Sequence, residues 1–268
     1  MELNNGSIPY SFAPVLLCYG RFAVTFELTE ARPAGLQGNR LLALLPEADL
    51  ARLMPQMRRV SFARKQILHK GGEVISEVYF PNGGVCSMTT VMSDGRMVEV
   101  ATIGNEGVVG IGAIFGRESS NSESLVQVTG TDAFALGVDA FRAELERGSV
   151  LSMLINRYIQ AFLVMVLQST ACNSLHSAEE RCARWLLMTR DRVGTSEFPM
   201  TQELLAVMLG VRRPTVTLIL QKLGQRGLVR YSRGRLEVAD GPELERASCE
   251  CYGTVRAEFA RLLSPLAV

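Results

Sequence analysis

The residues best equipped to act on another molecule lie together near the carboxy end, in "LGVRRPTVTLILQKLGQRGLVRYSRGRLEV", Leu209 to Val238. Between Thr201 and Arg235 stand seven basic residues (Arg212, Arg213, Lys222, Arg226, Arg230, Arg233 and Arg235) and one acid, Glu203. That is a local charge of +6 in a chain whose net charge is +1. Guanidinium groups at this density suit a polyanion, because they bind phosphate oxygens in pairs and keep their charge at neutral pH. A solvated basic surface is the plainer alternative. No comparable grouping supports catalysis: there is no nucleophile elbow, phosphate loop or HExxH motif. A cupin-like metal oxygenase would need two or three histidines with a carboxylate, and the only histidines, His69 and His176, fall in different regions. The chain is therefore expected not to be an enzyme.

Six cysteines, at positions 18, 86, 172, 182, 249 and 251, form no CxxC pair and have no histidine at zinc-finger spacing. Cys249 and Cys251 are one residue apart, a weak signal. The reading is reduced side chains in a cytoplasmic protein, with no metal and no cofactor. The opening "MELNNGSIPYSF" lacks a basic segment before an apolar run. The longest apolar run, "AFLVMVL" from Ala161 to Leu167, is far short of the ~20 residues that span a bilayer. No membrane partner is expected. With 268 residues, 47% hydrophobic and 21% charged, the chain is long enough for two globular domains.

The elements that would hold the basic segment change grammar along the chain. Residues 1–38 show no sustained period and read as an irregular extension. Helical patterns follow from Asn39 to Val60, with Pro46 opening a short helix that carries Glu47 and Asp49 in its first turn. From Ser61 to about Val138 the segments are short, β-branched and separated by turns. "PNGG" (Pro81–Gly84) and "SDGR" (Ser93–Arg96) read as hairpin turns, the latter of type I′. "RMVEVATI" alternates, with Met97, Glu99 and Ala101 on one side. Such strands imply a barrel, jelly roll or sandwich.

After Val138 the chain turns helical. A short helix ends before Gly148, and a long one runs from Ser149 to about Leu175. In it Leu151, Ile155, Tyr158, Phe162, Met165, Ser169 and Cys172 step alternately by four and three, an a/d seam. Leu154, Leu163, Val164, Val166 and Leu167 make its middle apolar nearly all round, so every side must be covered. Either the helix is buried within one subunit, or one face lies on its own β domain and the seam on a partner's identical helix. The second, a two-fold homodimer, is the expectation. A further helix follows, with Ser177 as N-cap, Glu179 and Glu180 in its first turn and Trp185, Leu186 and Leu187 for a second core.

The segment "PMTQELLAVMLGVRRPTVTLILQKLGQRGLV" fits a helix–turn–helix. Thr201 caps the first helix, whose apolar stripe is Leu204, Leu205 and Met208. Gly210 suits a left-handed turn, and Val211 plugs it. Val216, Ile219, Leu220 and Leu223 pack the second helix on the first, leaving Arg212, Arg213, Thr215, Thr217, Leu218 and Gln221 outward. Pro214 sits in the first turn, where its missing amide is not needed. Because it disfavours helical ψ before it, the helix is expected to start at Pro214 with Arg213 as cap. "LVRYSRGRLEV" forms a wing around a Ser-Arg-Gly turn. The outward face suits the major groove of double-stranded DNA. Helix–turn–helix shapes also occur as protein-binding modules, and that is the alternative function.

Taken together, the glycine-punctuated β-roll, the long helix and "TQELLAVMLGVRRPTVTLILQKL" resemble the Crp/Fnr family of bacterial transcription regulators, from about Leu41 to Leu244. The resemblance implies an α+β fold: an amino-terminal antiparallel β-roll or jelly roll, a long dimerisation helix and a carboxy-terminal winged helix–turn–helix. The expected divisions are residues 39–148, 149–175 and 176–245, followed by a helical tail over 246–268. It implies a homodimer on a two-fold-symmetric DNA site, an effector pocket in the β-roll, and RNA polymerase as a further partner. The interface would include Leu151, Ile155, Tyr158, Phe162 and Met165. In cyclic-AMP-responsive members the recognition helix begins with arginine then glutamate, with a second arginine four positions after the glutamate. This chain keeps Arg213 but has Pro214 and Leu218 at the other two places. Arg213 could pair with a guanine and Leu218 touch a thymine methyl. Thr201, Gln202 and Arg212 are expected on phosphates, with Arg233 in the basic wing. The effector-pocket candidates are Gly110, Ile111, Arg117, Ser122 and Glu123. Ile111 stands where cyclic-nucleotide binders carry a ribose-binding glutamate, and Ser122 or Glu123 where they carry the phosphate-binding arginine. An anionic phosphate needs a cation or free amides, so no cyclic AMP is expected there and any small-molecule effector is unknown. Fnr-type iron–sulfur members cluster cysteines at the amino end, where this chain has only Cys18. His69 as a haem ligand is a weaker idea than His69 as an ordinary strand histidine.

Overall fold

The computed structural model describes residues 38–95, 97–115, 122–130 and 132–264. Two short helices come first, α1 (Arg40–Ala43) and α2 (Glu47–Leu53). Asn39 caps α1, its side-chain oxygen accepting from the amides of Leu41 and Leu42. The same side chain donates to the carbonyls of Pro81 and Gly107, both at 2.9 Å, so this fully buried amide ties α1 to the sheets with all its groups used.

Seven strands follow: β1 (Met57–Val60), β2 (Ile67–His69), β3 (Glu77–Pro81), β4 (Gly84–Val91), β5 (Met97–Ile103), β6 (Glu123–Thr129) and β7 (Ala133–Gly137). They form two antiparallel sheets, ordered β1-β7-β3 and β2-β6-β4-β5. Their shared core holds Val78, Phe80, Cys86, Ile103, Val126 and Leu136. This is the expected β-roll, with three local corrections. "PNGG" does not join a hairpin, because β3 and β4 belong to different sheets. It is a crossing, held where the Asn82 amide meets the Asp132 carbonyl at 2.9 Å. Gly84 has φ +83°, and a Cβ there would sit 2.5 Å from the Val128 carbonyl, so only glycine fits. "SDGR" does join β4 to β5, pairing Val91 with Met97. Its turn is closed by the Gly95 amide on the Met92 carbonyl, and Gly95 but not Asp94 takes positive φ. It is therefore not type I′, which needs positive φ at both central residues. Along β5 exposure falls steadily rather than alternating: Met97 and Val98 are exposed, and Ala101 to Ile103 buried.

Helix α3 (Val138–Glu146) leads into α4 (Val150–Leu175), capped by Ser149. The structure turns the expected dimer seam inward. Leu151, Ile155, Tyr158, Phe162 and Met165 are all buried in the protomer's own core. The cause is an element that the period of α4 does not announce. Helix α9 (Cys251–Leu262) lies on α4, with Val255, Phe259 and Leu262 in the same core and the Phe259 ring 6.3 Å from that of Tyr158. The exposed stripe is offset: Asn156, Gln160, Leu163, Leu167, Thr170 and Ser174, again spaced by fours and threes. Leu163 and Leu167 are 55% and 61% exposed. By length and composition α4 could cross a bilayer, but an apolar core helix has the same composition.

The remaining elements build the second core. They are α5 (Ala178–Val193), β8 (Glu197–Pro199), α6 (Gln202–Leu209), α7 (Arg213–Gln225), β9 (Val229–Ser232), β10 (Arg235–Val238) and α8 (Gly241–Ala247). Ser177 and Glu180 form a full capping box on α5. The wing is a three-stranded sheet, β8-β10-β9, one strand more than the sequence suggests.

Candidate nucleic-acid interface

Helices α6 and α7 and the turn between them follow the expected pattern closely. The Thr201 hydroxyl accepts from the Leu204 amide at 3.2 Å. Gly210 takes φ +63°, and the Val211 amide returns to the Ala206 carbonyl at 3.0 Å. Val216, Ile219, Leu220 and Leu223 are buried, joined from α6 by Leu205, Ala206 and Leu209. Leu204 and Met208 are only half-buried. Met208 instead reaches the β-roll, where its sulfur lies 3.7 Å from the Ser87 hydroxyl. The start of α7 differs by one residue from expectation. Arg212, extended at φ −77° and ψ 147°, is the N-cap, and Arg213 is already helical. The Arg212 carbonyl accepts from the Thr215 amide at 2.9 Å, so Pro214 still costs no hydrogen bond.

The outward face of α7 carries Arg212, Arg213, Leu218 and Gln221, all exposed, with Thr215 and Thr217 half-buried. Leu218 is 60% exposed, unusual for a leucine with no neighbour to cover it. The Thr217 hydroxyl donates to Gln202 Oε1 at 2.8 Å, locking one residue of α7 to one of α6. Across the wing, Arg233 and Gly234 take φ +47° and +76°. Positive φ at both central residues makes this the tight two-residue turn, and it presents Arg233 at the tip.

The charge of this surface is smaller than its sequence implies. Arg213 pairs with Glu203 at 3.0 Å, Arg230 with Glu237 at 2.9 Å, and Arg235 with Glu197. Lys222 and Arg226 share Glu179 at 3.5 and 3.6 Å. Seven bases then face four acids, for +3 rather than +6. Three of those acids lie outside the segment counted and are brought in by the fold. Among the described residues Arg212 and Arg233 make no ion pair, which makes them the readiest to meet phosphate.

The effector-pocket candidates do not gather around an open space. Gly110 has φ +104° and lies against His69 and Val78, both 3.1 Å from where a Cβ would be. Ile111 opens a 3-10 turn, Ile111–Phe115, that packs on the core. Glu123 begins β6 and adds an acid, not a cation. Ser122 lies beside it, and Arg117 lies outside the described residues. A cavity of about 110 Å³ is lined instead by Arg40, Glu106, Asp191, Arg192, Tyr252 and Arg256, among others. His69 is buried, its Nε2 2.8 Å from the Glu77 carbonyl. Burial lowers its pKa, outweighing that carbonyl. It packs against Gly110 and the Tyr79 ring with one ring nitrogen committed to the backbone.

Two polar contacts between the β-roll and α5 escaped the sequence. Trp185 donates through Nε1 to Glu99 at 3.0 Å, beside Ser87 at 2.5 Å and Gln127 at 3.2 Å. Burial raises the Glu99 carboxyl to about 7, against the pull of these three donors and Arg192. Arg192 itself is buried, pairing with Glu106 at 2.7 Å and donating to the Thr102 hydroxyl at 2.6 Å. Nothing local in the sequence marks residues 86 or 90 positions apart as partners. These contacts tie the helix preceding the helix–turn–helix to the β-roll.

Comparison with known proteins agrees with this fold. Residues 59–147 match the cyclic nucleotide-binding domain family and residues 180–247 the Crp-like helix-turn-helix domain family. The chain is 25% identical over 206 residues to a CRP-like cAMP-activated global transcriptional regulator of Mycobacterium tuberculosis, covering 74% of this chain and 91% of that one. A CRP-family transcriptional regulator from Thermus thermophilus has a similar structure, with TM-score 0.58, 21% identity, and 71% and 96% of the two chains covered. So does the c-di-GMP-responsive global regulator CLP of Xanthomonas campestris, with TM-score 0.59, 13% identity, and 73% and 100% covered. At such identities the structural likeness is one of fold.

Proposed function

Because the chain belongs to the Crp/Fnr family of transcription regulators, we propose that it acts as a homodimer on a two-fold-symmetric DNA site and takes no cyclic AMP. The observation that carries the DNA reading is the exposed face of α7. There Arg213 and Leu218 stand on a helix of major-groove width, flanked by Arg212 and Arg233, which make no ion pair among the described residues. Arg213 would read a guanine and Leu218 a thymine methyl, while Thr201, Gln202, Arg212 and Arg233 would seat the protein on phosphates. Thr215, Thr217 and Gln221 complete the face. The homodimer would form through the exposed stripe of α4 centred on Leu163 and Leu167. A two-fold axis along it would bury both leucines, and a two-fold-symmetric site would then require the two recognition helices to lie about one DNA turn apart. Such a regulator works in the cytoplasm, with RNA polymerase as its downstream partner, and the chain is a regulator rather than an enzyme.

The exclusion of cyclic AMP rests on charge: Ser122 and Glu123 stand where a cation would be required. Binding measured against salt tests the DNA reading. Two phosphate-contacting cations per subunit, Arg212 and Arg233, predict that log K falls with log salt at a slope of about −4 for the dimer. Salt-insensitive or absent binding would leave the helix–turn–helix as a protein-binding module. Calorimetric titration with cyclic AMP should give no heat of binding, and a saturable heat would overturn that part of the proposal.

A further inference from the structure

One group of side chains belongs neither to the DNA-facing surface nor to the β-roll. Cys172, Cys249 and Cys251 are all buried and form a small cluster of their own, apart from both larger cores. His176 completes the group. The ligand atoms of all four, three Sγ and one imidazole nitrogen, lie within 4.8 Å of one another. Cys172 Sγ is 3.5 Å from Cys249 Sγ, and Cys251 Sγ is 3.5 Å from His176 Nδ1.

We propose that Cys172, His176, Cys249 and Cys251 bind a single thiophilic divalent cation of the zinc class, which clamps the start of α9 to the end of α4. Two sulfurs held about 2.3 Å from a tetrahedral zinc are about 3.8 Å apart, close to the spacings present. Three thiolates and one imidazole are a soft set that favours zinc over magnesium or calcium. The ligands come as two short pairs from distant segments. Cys172 and His176 are one turn apart at the end of α4, where the His176 amide bonds the Cys172 carbonyl at 3.0 Å. Cys249 precedes α9 and Cys251 is its first residue. Neither pair alone is a recognisable motif; α9 lying on α4 makes them one site.

The surroundings fit a ligand set better than a cluster of idle thiols. His176 Nε2 lies 3.2 Å from the Glu250 carboxylate, the outer partner that fixes a metal-bound imidazole. With its proton on Nε2, the lone pair of Nδ1 faces the sulfurs. Gln168 Nε2 donates to Cys251 Sγ at 3.1 Å. Three thiolates with a divalent cation carry one net negative charge, and the buried guanidinium of Arg184 acts electrostatically on Cys172 from α5. An iron–sulfur cluster needs ligands spread around several irons, wider than this set. A Cys172–Cys249 disulfide would leave Cys251, His176 and Glu250 unexplained. The next residue after His176 is Ser177, the cap of α5. The ion would therefore stiffen the junction from which the DNA-binding helices depart. All four residues lie outside the two regions that match known domain families, 59–147 and 180–247.

The test uses the full-length chain purified in reductant without chelator. Elemental analysis should find about one zinc per chain. After exchange, cobalt(II) should give thiolate-to-metal charge-transfer bands with the intense visible bands of a tetrahedral site, and zinc should bleach them. Cys249→Ser should abolish these bands, whereas Cys182→Ser, a buried cysteine elsewhere, should keep them. Glu250→Gln guards against a misfolded variant: it is exposed, leaves all four ligands, and should weaken cobalt affinity by roughly 10–100-fold. Less than about a tenth of a metal per chain with no cobalt–thiolate bands would overturn the proposal. So would bands that survive Cys249→Ser, a Glu250→Gln affinity equal to wild type, or an intact mass two hydrogens lighter under reductant, showing a disulfide.

Discussion

Replacing Glu99 by glutamine should stabilise the protein above neutral pH while flattening its pH dependence. In the folded state the Glu99 carboxyl titrates near 7, raised from 4.5 by burial against three hydrogen-bond donors and Arg192. The fold therefore holds this proton more tightly than the unfolded chain does. The resulting stabilisation is fully present below pH 4.5, is lost as pH rises to about 7, and stays lost above. Two and a half pKa units at about 1.4 kcal/mol each give a swing of about 3 kcal/mol. Glutamine never ionises, keeps an oxygen for the Trp185 N–H, and offers an amide to Gln127 Oε1, a buried atom with no partner. Urea unfolding of both proteins between pH 5 and 8 checks this, followed by fluorescence of Trp185, the only tryptophan and itself a partner of Glu99. The variant should gain on wild type by about 2–3 kcal/mol across that range. A difference that stays constant within about 0.5 kcal/mol refutes the reasoning, since surface substitutions alone scatter that much.

The other predictions concern the dimer, the DNA face and the buried ion pair. Arg213→Ala should cost about 1–3 kcal/mol of DNA affinity and relax preference at one base pair of each half-site; an equal loss on all sequences would make Arg213 a phosphate contact. Leu163→Glu with Leu167→Glu should give folded monomers by sedimentation, because both positions are exposed, whereas a dimer that persists places the interface elsewhere. Arg192→Met strands Glu106 in the interior and should cost about 3–5 kcal/mol in unfolding experiments. Adding Glu106→Gln should recover part of that loss, and no recovery would mean that Arg192 acts through packing alone.

The helix–turn–helix was legible because local rules dictate it. A capping threonine, a left-handed glycine and a four-residue apolar rhythm each act within one or two turns, and every interior residue they name on α7 is buried. The long helix was legible as a helix but not in its orientation. In α4 two heptad stripes coexist, one through Ile155 and Phe162 and one through Leu163 and Leu167. Period tells which residues share a face, not which element covers it, and α9 arrives from nearly a hundred residues downstream. The acids that temper the basic surface, Glu179, Glu197 and Glu237, were missed because they lie outside the segment whose charge was counted, and 75 or 77 positions separate Cys172 and His176 from the partners they meet in Cys249 and Cys251. "PNGG" misled for a related reason: turn chemistry marks a reversal but not whether the next strand joins the same sheet. Pro214 shifted a helix start by one residue, within the usual uncertainty of helix ends.

Selection of bound duplexes from a random DNA library tests the central claim most directly. The account predicts one enriched site with two-fold symmetry, its half-sites centred about one helical turn apart, and a guanine in each half-site whose enrichment disappears in Arg213→Ala. An unenriched library, or a single asymmetric site bound by a monomer, would contradict it.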